Sequence, residues 1–425
     1  MRVIIVGAGW AGCAAAISAS KAGGKVTLLE RTDMLLGTGL VGGIMRNNGR
    51  YTATEEMIAL GGGDLFTITD ANSRHSNIEF PGHKHASLYD IDKTPSAVFN
   101  YLKELKVDVK FQSRIRRVNM DDNIILSVKD DNNNLYPGDV FIDTTGTAGP
   151  IKNCIKYGNG CAMCIIRCPS FGGRISLTSL AGIKEYVGKK ADGSVGAMSG
   201  SCKLFKDSLS VNIINELNTK GVCIIPLPQS MIEDHLNIKA CQQYALKEYN
   251  ENIILLDTGH AKLMAPYFNI DKLHQIPGLE DARYADPYAG SNGNSMRFFS
   301  MAPRDNTLKV KNIENLFCAG EKAGLLVGHT EAIVTGTLAG YNSTKFCKRK
   351  KLLELPRKLA IGESIAFVNE QMQTQSGFRK KYTYSGSIFF DRMKDLGLYT
   401  TNIEEIQNNV ANLGLSGIFS KSTIS

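Results

Sequence analysis

Arg2-Val3-Ile4-Ile5-Val6-Gly7-Ala8-Gly9-Trp10-Ala11-Gly12 opens the chain. Five residues with the composition of a buried strand run straight into a glycine turn. An Ala-rich stretch, 13–22, follows with helical composition; Gly23-Gly24 stops it, and a second apolar run, 25–29, ends at Glu30. Strand, glycine turn, helix, strand and terminal acid stand in the order that a dinucleotide-binding βαβ unit requires. Gly7 permits the tight turn, Gly9 lets the backbone approach a pyrophosphate, and Gly12 lets the helix lie close on the strand. The helix N-terminus then faces the phosphates, and Glu30 can accept hydrogen bonds from a ribose diol. The contact set expected from this unit is Gly7, Ala8, Gly9, Ala11, Gly12, Glu30 and Arg31.

At 425 residues the chain is too long for one compact core. With 43% hydrophobic and 21% charged residues it is composed as an ordinary globular protein rather than a disordered or membrane one. With the opening strand at residue 2, no signal or transit peptide is expected, and no apolar run reaches membrane-span length. The expected location is therefore cytoplasmic, with no membrane partner. Ten cysteines in such a chain read as thiols, redox groups or metal ligands, not structural disulfides. A net charge of +8 permits an anionic partner without demanding one.

The nucleotide-type pattern returns late in the chain. Leu316-Phe317-Cys318-Ala319-Gly320-Glu321 reads as a strand entering a turn, and Gly328-His329-Thr330-Glu331-Ala332 opens a helix. A simple dehydrogenase keeps its motif in one continuous domain. A nucleotide domain in two parts is similar to those of flavoproteins of the glutathione reductase structural class. In that class the first part holds the adenine end of FAD and the second holds the ribityl chain and flavin ring. Asp143-Thr144-Thr145-Gly146 resembles a third signature of the class. A helix start beside the ring has a physical use, because reduced flavin carries negative charge near N1 and O2, where a helix N-terminus presents N–H groups and a positive dipole end.

The resemblance narrows further. Leu40-Val41-Gly42-Gly43-Ile44, Ala59-Leu60-Gly61-Gly62-Gly63 and residues 315–340 resemble segments of the glucose-inhibited division protein A family. The folate-dependent tRNA uracil methyltransferase flavoproteins are its relatives. The likeness covers residues 1–150 and 285–342 and fades across 151–285 and 345–425. It implies FAD, and adds Gly42, Gly43, Ile115, Thr145, Gly146, Gly320, Glu321, Gly328 and Thr330 to the expected cofactor contacts. It also implies tRNA modification with a folate carbon donor. One departure counts against that chemistry: the family's reactive cysteine before the Gly-Gly pair has no counterpart, since Gly37-Thr38-Gly39 carries no thiol.

Cys161-Ala162-Met163-Cys164, with Cys168-Pro169 after it and Cys154 before it, is the second distinctive feature. Three readings stand side by side. Cys161 and Cys164 have the spacing of a redox dithiol. Cys161, Cys164 and Cys168 echo part of a ferredoxin-type iron–sulfur run. Small thiols also simply pack well in apolar cores. Phe171-Gly172-Gly173-Arg174 follows, with Arg174 a candidate clamp for a carboxylate or phosphate. His329, at the expected ring-side helix start, is a candidate ring partner or proton shuttle. No metal site is expected.

The expected fold is α/β: a two-part doubly wound FAD-binding domain, residues 1–150 and 286–344, with an inserted α+β substrate domain, 151–285, and a C-terminal helical region, 345–425. The expected function is an FAD-dependent oxidoreductase passing two electrons through the flavin, with Cys161, Cys164, Arg174 and His329 as the chemical groups. NAD(P)H would dock transiently as reductant, because no second complete dinucleotide motif lies within 151–285. The expected partner is a small-molecule substrate or an electron-transfer protein, with a homo-oligomer allowed. A flavin-dependent tRNA uridine-modifying enzyme is the alternative, not the favoured reading; residues 345–351 and Arg379-Lys380-Lys381 would be its RNA-facing charges.

Overall fold

A computed structural model describes residues 1–146, 170–190, 192–194, 201–233, 244–265, 268–285 and 299–421. Its centre is a five-stranded sheet. In spatial order the strands are Leu316–Cys318, Val140–Asp143, Arg2–Val6 (β1), Lys25–Leu29 (β2) and Asp108–Lys110, and every neighbouring pair is parallel. β1 is apolar from Val3 to Val6 and buried there, as a strand covered on both faces must be. The late segment therefore shares one sheet with the opening motif: Phe317 pairs with Ile142, and Ile142 with Ile5. The order reverses at β1, so the C-terminal ends of β1 and its two neighbours form the crevice where ligands bind in such sheets.

Two helices cover one face of this sheet. The first, Trp10–Lys21, leaves the glycine turn; the long one, His329–Cys347, follows the last strand. They run side by side in the same direction with their backbones in contact. A Cβ on Gly336 would lie 2.2 Å from the Ala11 carbonyl oxygen, and one on Gly340 2.3 Å from that of Ala15. Glycine at those two positions is what permits this approach.

Residues 37–89 hold elements with no clear sequence signal. A six-residue 3₁₀ turn, Gly37–Gly42, leads through Ile44–Met45 into helices Gly49–Ala59 and Asp64–Ala71 and an antiparallel hairpin, Ser73–Phe80 with His83–Tyr89. A four-stranded antiparallel sheet, in the order Cys202–Leu204, Ala261–Leu263, Asn252–Asp257 and Val222–Pro226, packs against that hairpin. Ile44, Phe80 and Leu88 share an apolar cluster with Val222, Ile254 and Leu256. Helices Ala360–Gln371, Ser387–Asp395 and Ile403–Asn412 close the chain. No helix among the described residues is long and apolar enough to cross a membrane.

Candidate cofactor site

The glycine turn has the geometry its sequence calls for. Gly7 has φ +102°, and a Cβ there would come within 2.5 Å of the Thr144 carbonyl oxygen. A Cβ on Gly12 would fall 1.8 Å from the Gly7 carbonyl oxygen. Gly9 differs: its backbone is ordinary extended chain, φ −68° and ψ −175°, and a Cβ there would meet nothing within 4 Å. Two of the glycines thus hold the turn together, while no described residue covers Gly9.

The second segment arrives on top of this turn. Gly320, with φ +68°, would place a Cβ 3.0 Å from that of Ala11, and its N–H donates to Thr335 Oγ1 at 2.8 Å. Gly328, with φ +143°, precedes the long helix. His329 then turns back over the first segment: its ring lies 5.5 Å from Trp10 and 6.0 Å from Tyr89, with Nε2 on the Gly39 carbonyl. Gly42 lies so close that a Cβ there would reach within 2.0 Å of His329 Nε2. Gly43, φ +67°, adjoins Thr258 in the same way.

Two polar atoms beside these helix starts, Trp10 Nε1 and Thr330 Oγ1, are buried with no hydrogen-bond partner among the described residues. Unpaired buried polar groups are costly and call for a partner. The backbone at Gly9 that no described residue covers, the orphan donors and two helix N-termini converging on one crevice fit an extended, anionic dinucleotide. Bound there, the flavin of FAD supplies two-electron and hydride chemistry.

The other expected residues fall around this crevice with varied roles. Glu30 is buried; one carboxylate oxygen accepts the Ala8 N–H at 2.8 Å and the other accepts Thr32 N–H and Oγ1. Its observed task is thus to hold the glycine turn. Arg31 donates to the Gly172 carbonyl at 2.6 Å, and Arg114 donates to that of Gly173 at the same distance. The Gly172-Gly173 turn is therefore pinned at the crevice edge, and half-buried Arg174 follows it. Thr145 donates through N and Oγ1 to Asp143 Oδ1, whose other oxygen takes both donors of Thr178. Gly146 has φ +73°, and a Cβ there would meet nothing within 4 Å among the described residues. Ile115, buried, begins the strand Ile115–Asp121. Glu321 lies in the 3₁₀ turn Gly320–Ala323. Cys161 and Cys164, with Cys154 and Cys168, lie outside the described residues. Of the described thiols, Cys13 lies on the first helix and Cys318 ends a strand of the sheet; burial pushes both up to about 12, so neither is a thiolate at neutral pH.

Sequence reasoning missed three supports of the site. Arg50 is buried against Glu331 at 3.3 Å and also donates to the Val327 carbonyl and Thr383. Glu331 in turn accepts Thr383 Oγ1 and the Tyr384 N–H, tying the C-terminal region to the start of the long helix. Lys262 reaches from the antiparallel sheet to the Val41 carbonyl at 2.8 Å, inside the 37–43 loop. Only the position of Glu331, in the first turn of a helix, carried any sequence signal.

Comparison with known proteins agrees with this geometry. A family model described as "Glucose inhibited division protein A" matches residues 2–269 and 258–351. The methylenetetrahydrofolate–tRNA-(uracil-5-)-methyltransferase TrmFO of Bacillus pumilus is 32% identical over 133 residues, 31% of this chain and 28% of that protein. The tRNA uridine 5-carboxymethylaminomethyl modification enzyme MnmG of Desulfotalea psychrophila is 34% identical over 91 residues, 21% of this chain and 13% of that protein. The chain thus spans well under a third of the length of either curated relative it matches. Among solved structures, Aquifex aeolicus GidA superposes with a TM-score of 0.63 at 16% identity, covering 97% of this chain and 76% of that one, which shows a shared fold. Relatives named for action on tRNA overturn the expectation of a small-molecule substrate or electron-transfer partner with tRNA disfavoured. The missing thiol at Gly37-Thr38-Gly39 bears on one mechanism and not on the choice of substrate.

Proposed function

The chain belongs to the glucose inhibited division protein A family, and from that premise we propose that it is an FAD-dependent enzyme that modifies C5 of a uridine in tRNA. The observation that carries the proposal is the crevice itself. Backbone at Gly9 that no described residue covers and the starts of two parallel helices converge there, in a chain whose relatives are named for the 5-position of uracil or uridine.

In this reading Gly7, Gly9 and Gly12 shape the pyrophosphate loop, and Glu30 holds that loop and takes the adenosine ribose. Gly42, Gly43, Gly320, Glu321, Gly328 and Thr330 line the ring-side half. Thr330 Oγ1 and the N–H groups opening the long helix stabilise negative charge at the ring. His329, fixed by Gly39 and stacked edge-on against Trp10 and Tyr89, holds the 37–43 loop against the helix start and can exchange a proton at its imidazole. Lys262 places a cation on the far side of that loop. Arg174, beside the pinned glycine turn, is an anion contact at the rim. The sequence of residues 151–285 holds no second complete dinucleotide motif, so a nicotinamide reductant would dock transiently.

The test is direct. Purified protein should carry or take up FAD. Incubated with an unmodified tRNA transcript, methylenetetrahydrofolate and NADPH, it should yield a uridine nucleoside of increased mass after digestion, with the added carbon on C5. Protein that binds FAD yet neither binds nor alters tRNA with folate or other one-carbon donors would overturn the proposal.

A further inference from the structure

Two short basic segments far apart in sequence meet on one face. The Lys189 N–H donates to the Phe378 carbonyl at 2.8 Å, and Lys381 Nζ donates back to the Lys189 carbonyl at 3.0 Å. A Cβ on Gly193 would lie 3.5 Å from an Arg379 guanidinium nitrogen. Lys189, Arg379 and Lys380 are exposed and Lys190 half-exposed. Among the described residues, Asp192 is the acid facing them, 3.9 Å from Lys190 and lowered by the Ser194 hydrogen bonds and by the charges of Lys190 and Arg379. The same two segments carry two half-buried rings, Tyr186 and Phe378, packed against the core with centroids 5.5 Å apart. Basic residues around aromatic rings suit a single-stranded RNA loop, whose phosphates pair with the charges while unstacked bases find a ring face.

Its position singles this face out. Tyr382 follows the cluster directly and clamps the residues before Gly328: its N–H donates to Leu325 and its carbonyl accepts from Val327, both at 2.9 Å. A few residues of chain separate Lys380 from His329 by that route, on the order of 15 Å. The other charge run, 345–351, sits at the opposite end of the nineteen-residue long helix, roughly 27 Å from His329 at 1.5 Å rise per residue.

We infer that Lys189, Lys190, Arg379 and Lys380 form the surface that holds the phosphates beside the target uridine, and that the 345–351 run does not. The inference rests on the proposed tRNA substrate and specifies how that substrate is held. The test measures binding of an unmodified tRNA transcript to the FAD-loaded full chain by fluorescence anisotropy across a salt series. Three variants are compared: Lys189→Gln with Lys190→Gln, Arg379→Gln with Lys380→Gln, and a distal control, Lys348→Gln with Lys350→Gln and Lys351→Gln. Flavin absorbance at equal protein concentration establishes that each variant is folded. Each proximal pair should weaken binding about tenfold and lower the log–log salt slope by about 1–2, while the control leaves the slope unchanged. Wild-type binding that the control abolishes and the proximal pairs leave intact overturns the inference but not the function. Wild-type protein that binds no tRNA at low salt overturns both.

Discussion

Gly9 and Gly12 sit in one turn and answer to different constraints, so the same substitution at each should have opposite consequences. Gly9 has a backbone conformation that alanine adopts freely, and its Cβ would meet nothing within 4 Å among the described residues. Gly9→Ala should leave the stability of the apoprotein within about 1 kcal/mol. It should weaken FAD binding at least tenfold, about 1.4 kcal/mol, because in the proposed site the methyl would occupy the path of the pyrophosphate. At Gly12 the methyl would strike the Gly7 carbonyl, so Gly12→Ala should cost about 3 kcal/mol in stability with or without FAD. Urea titrations of both variants, with and without FAD, separate the two roles. Glu56 supplies a further test at this scale. It is fully enclosed and accepts the N–H groups of Ala360 and Ile361, and burial pushes its carboxyl up to about 7, against the backbone hydrogen bonds that lower it. An acid whose folded value is raised binds its proton more tightly when folded. Its contribution is therefore fully present below the unfolded value of about 4.5 and is lost as pH rises through 7. Stability should fall by about 3 kcal/mol between pH 4.5 and 7.5 from this group, and Glu56→Gln should flatten that part of the profile. A profile unchanged in the Gln variant would show that Glu56 titrates normally.

The two central helices explain why two distant motifs make one site. They lie parallel, so their dipoles point the same way and both positive ends reach the same crevice, an arrangement that repels itself until an anion binds between them. The close contact depends on Gly336 and Gly340, where added side chains would meet the carbonyls of Ala11 and Ala15. Gly340→Val should separate the helices, cost about 3 kcal/mol and, although it lies at the end remote from the cofactor, lower the flavin content of purified protein. Normal flavin occupancy in this variant would mean that the helix starts are positioned independently of the packing below them. Such elements were legible in the sequence because their signals are local: an apolar run, a glycine turn and an acid within thirty residues for the first segment, and the Ala-Gly-Glu turn with its helix start for the second. The hairpin at 73–89 was not. Its pairing shifts register three times, and Asn77 and His85 adopt positive φ, so no clean alternation of apolar and polar residues survives. Lys262 and Arg50 were equally hidden, since each meets a partner more than two hundred residues away.

Across the whole molecule, one buried carboxylate joins the nucleotide-binding part to the antiparallel sheet. Asp257 ends the Asn252–Asp257 strand and is fully buried. It receives Arg74 and His75 from the hairpin, both at 2.9 Å, and Lys206 at 3.0 Å, while Arg74 also reaches Asp90 at 3.2 Å. Burial works against the charged form of Asp257, but the hydrogen bonds of His75 and Lys206 and the charges of Lys206 and Arg74 outweigh it and hold the carboxyl below its usual range. A lowered carboxylate contributes stability that is present above its unfolded value and lost as pH falls through the folded one. The wild-type protein should therefore weaken below about pH 4, the ordinary aspartate range. Asp257→Asn removes the charge while keeping the shape, leaving Arg74 and Lys206 facing a neutral amide. It should cost about 2–3 kcal/mol at pH 7, below the full cost of breaking a buried pair because Arg74 is part-solvated. The loss should be local first, because the hairpin and the antiparallel sheet also share the apolar cluster of Ile44, Leu88 and Ile254. Limited proteolysis followed by mass spectrometry should show earlier cleavage within 201–265 in the Asn variant while the parallel sheet keeps its flavin. Simultaneous loss of flavin and protease resistance would instead mean that the two parts unfold as one unit and that Asp257 is a support of the whole molecule, not of their junction.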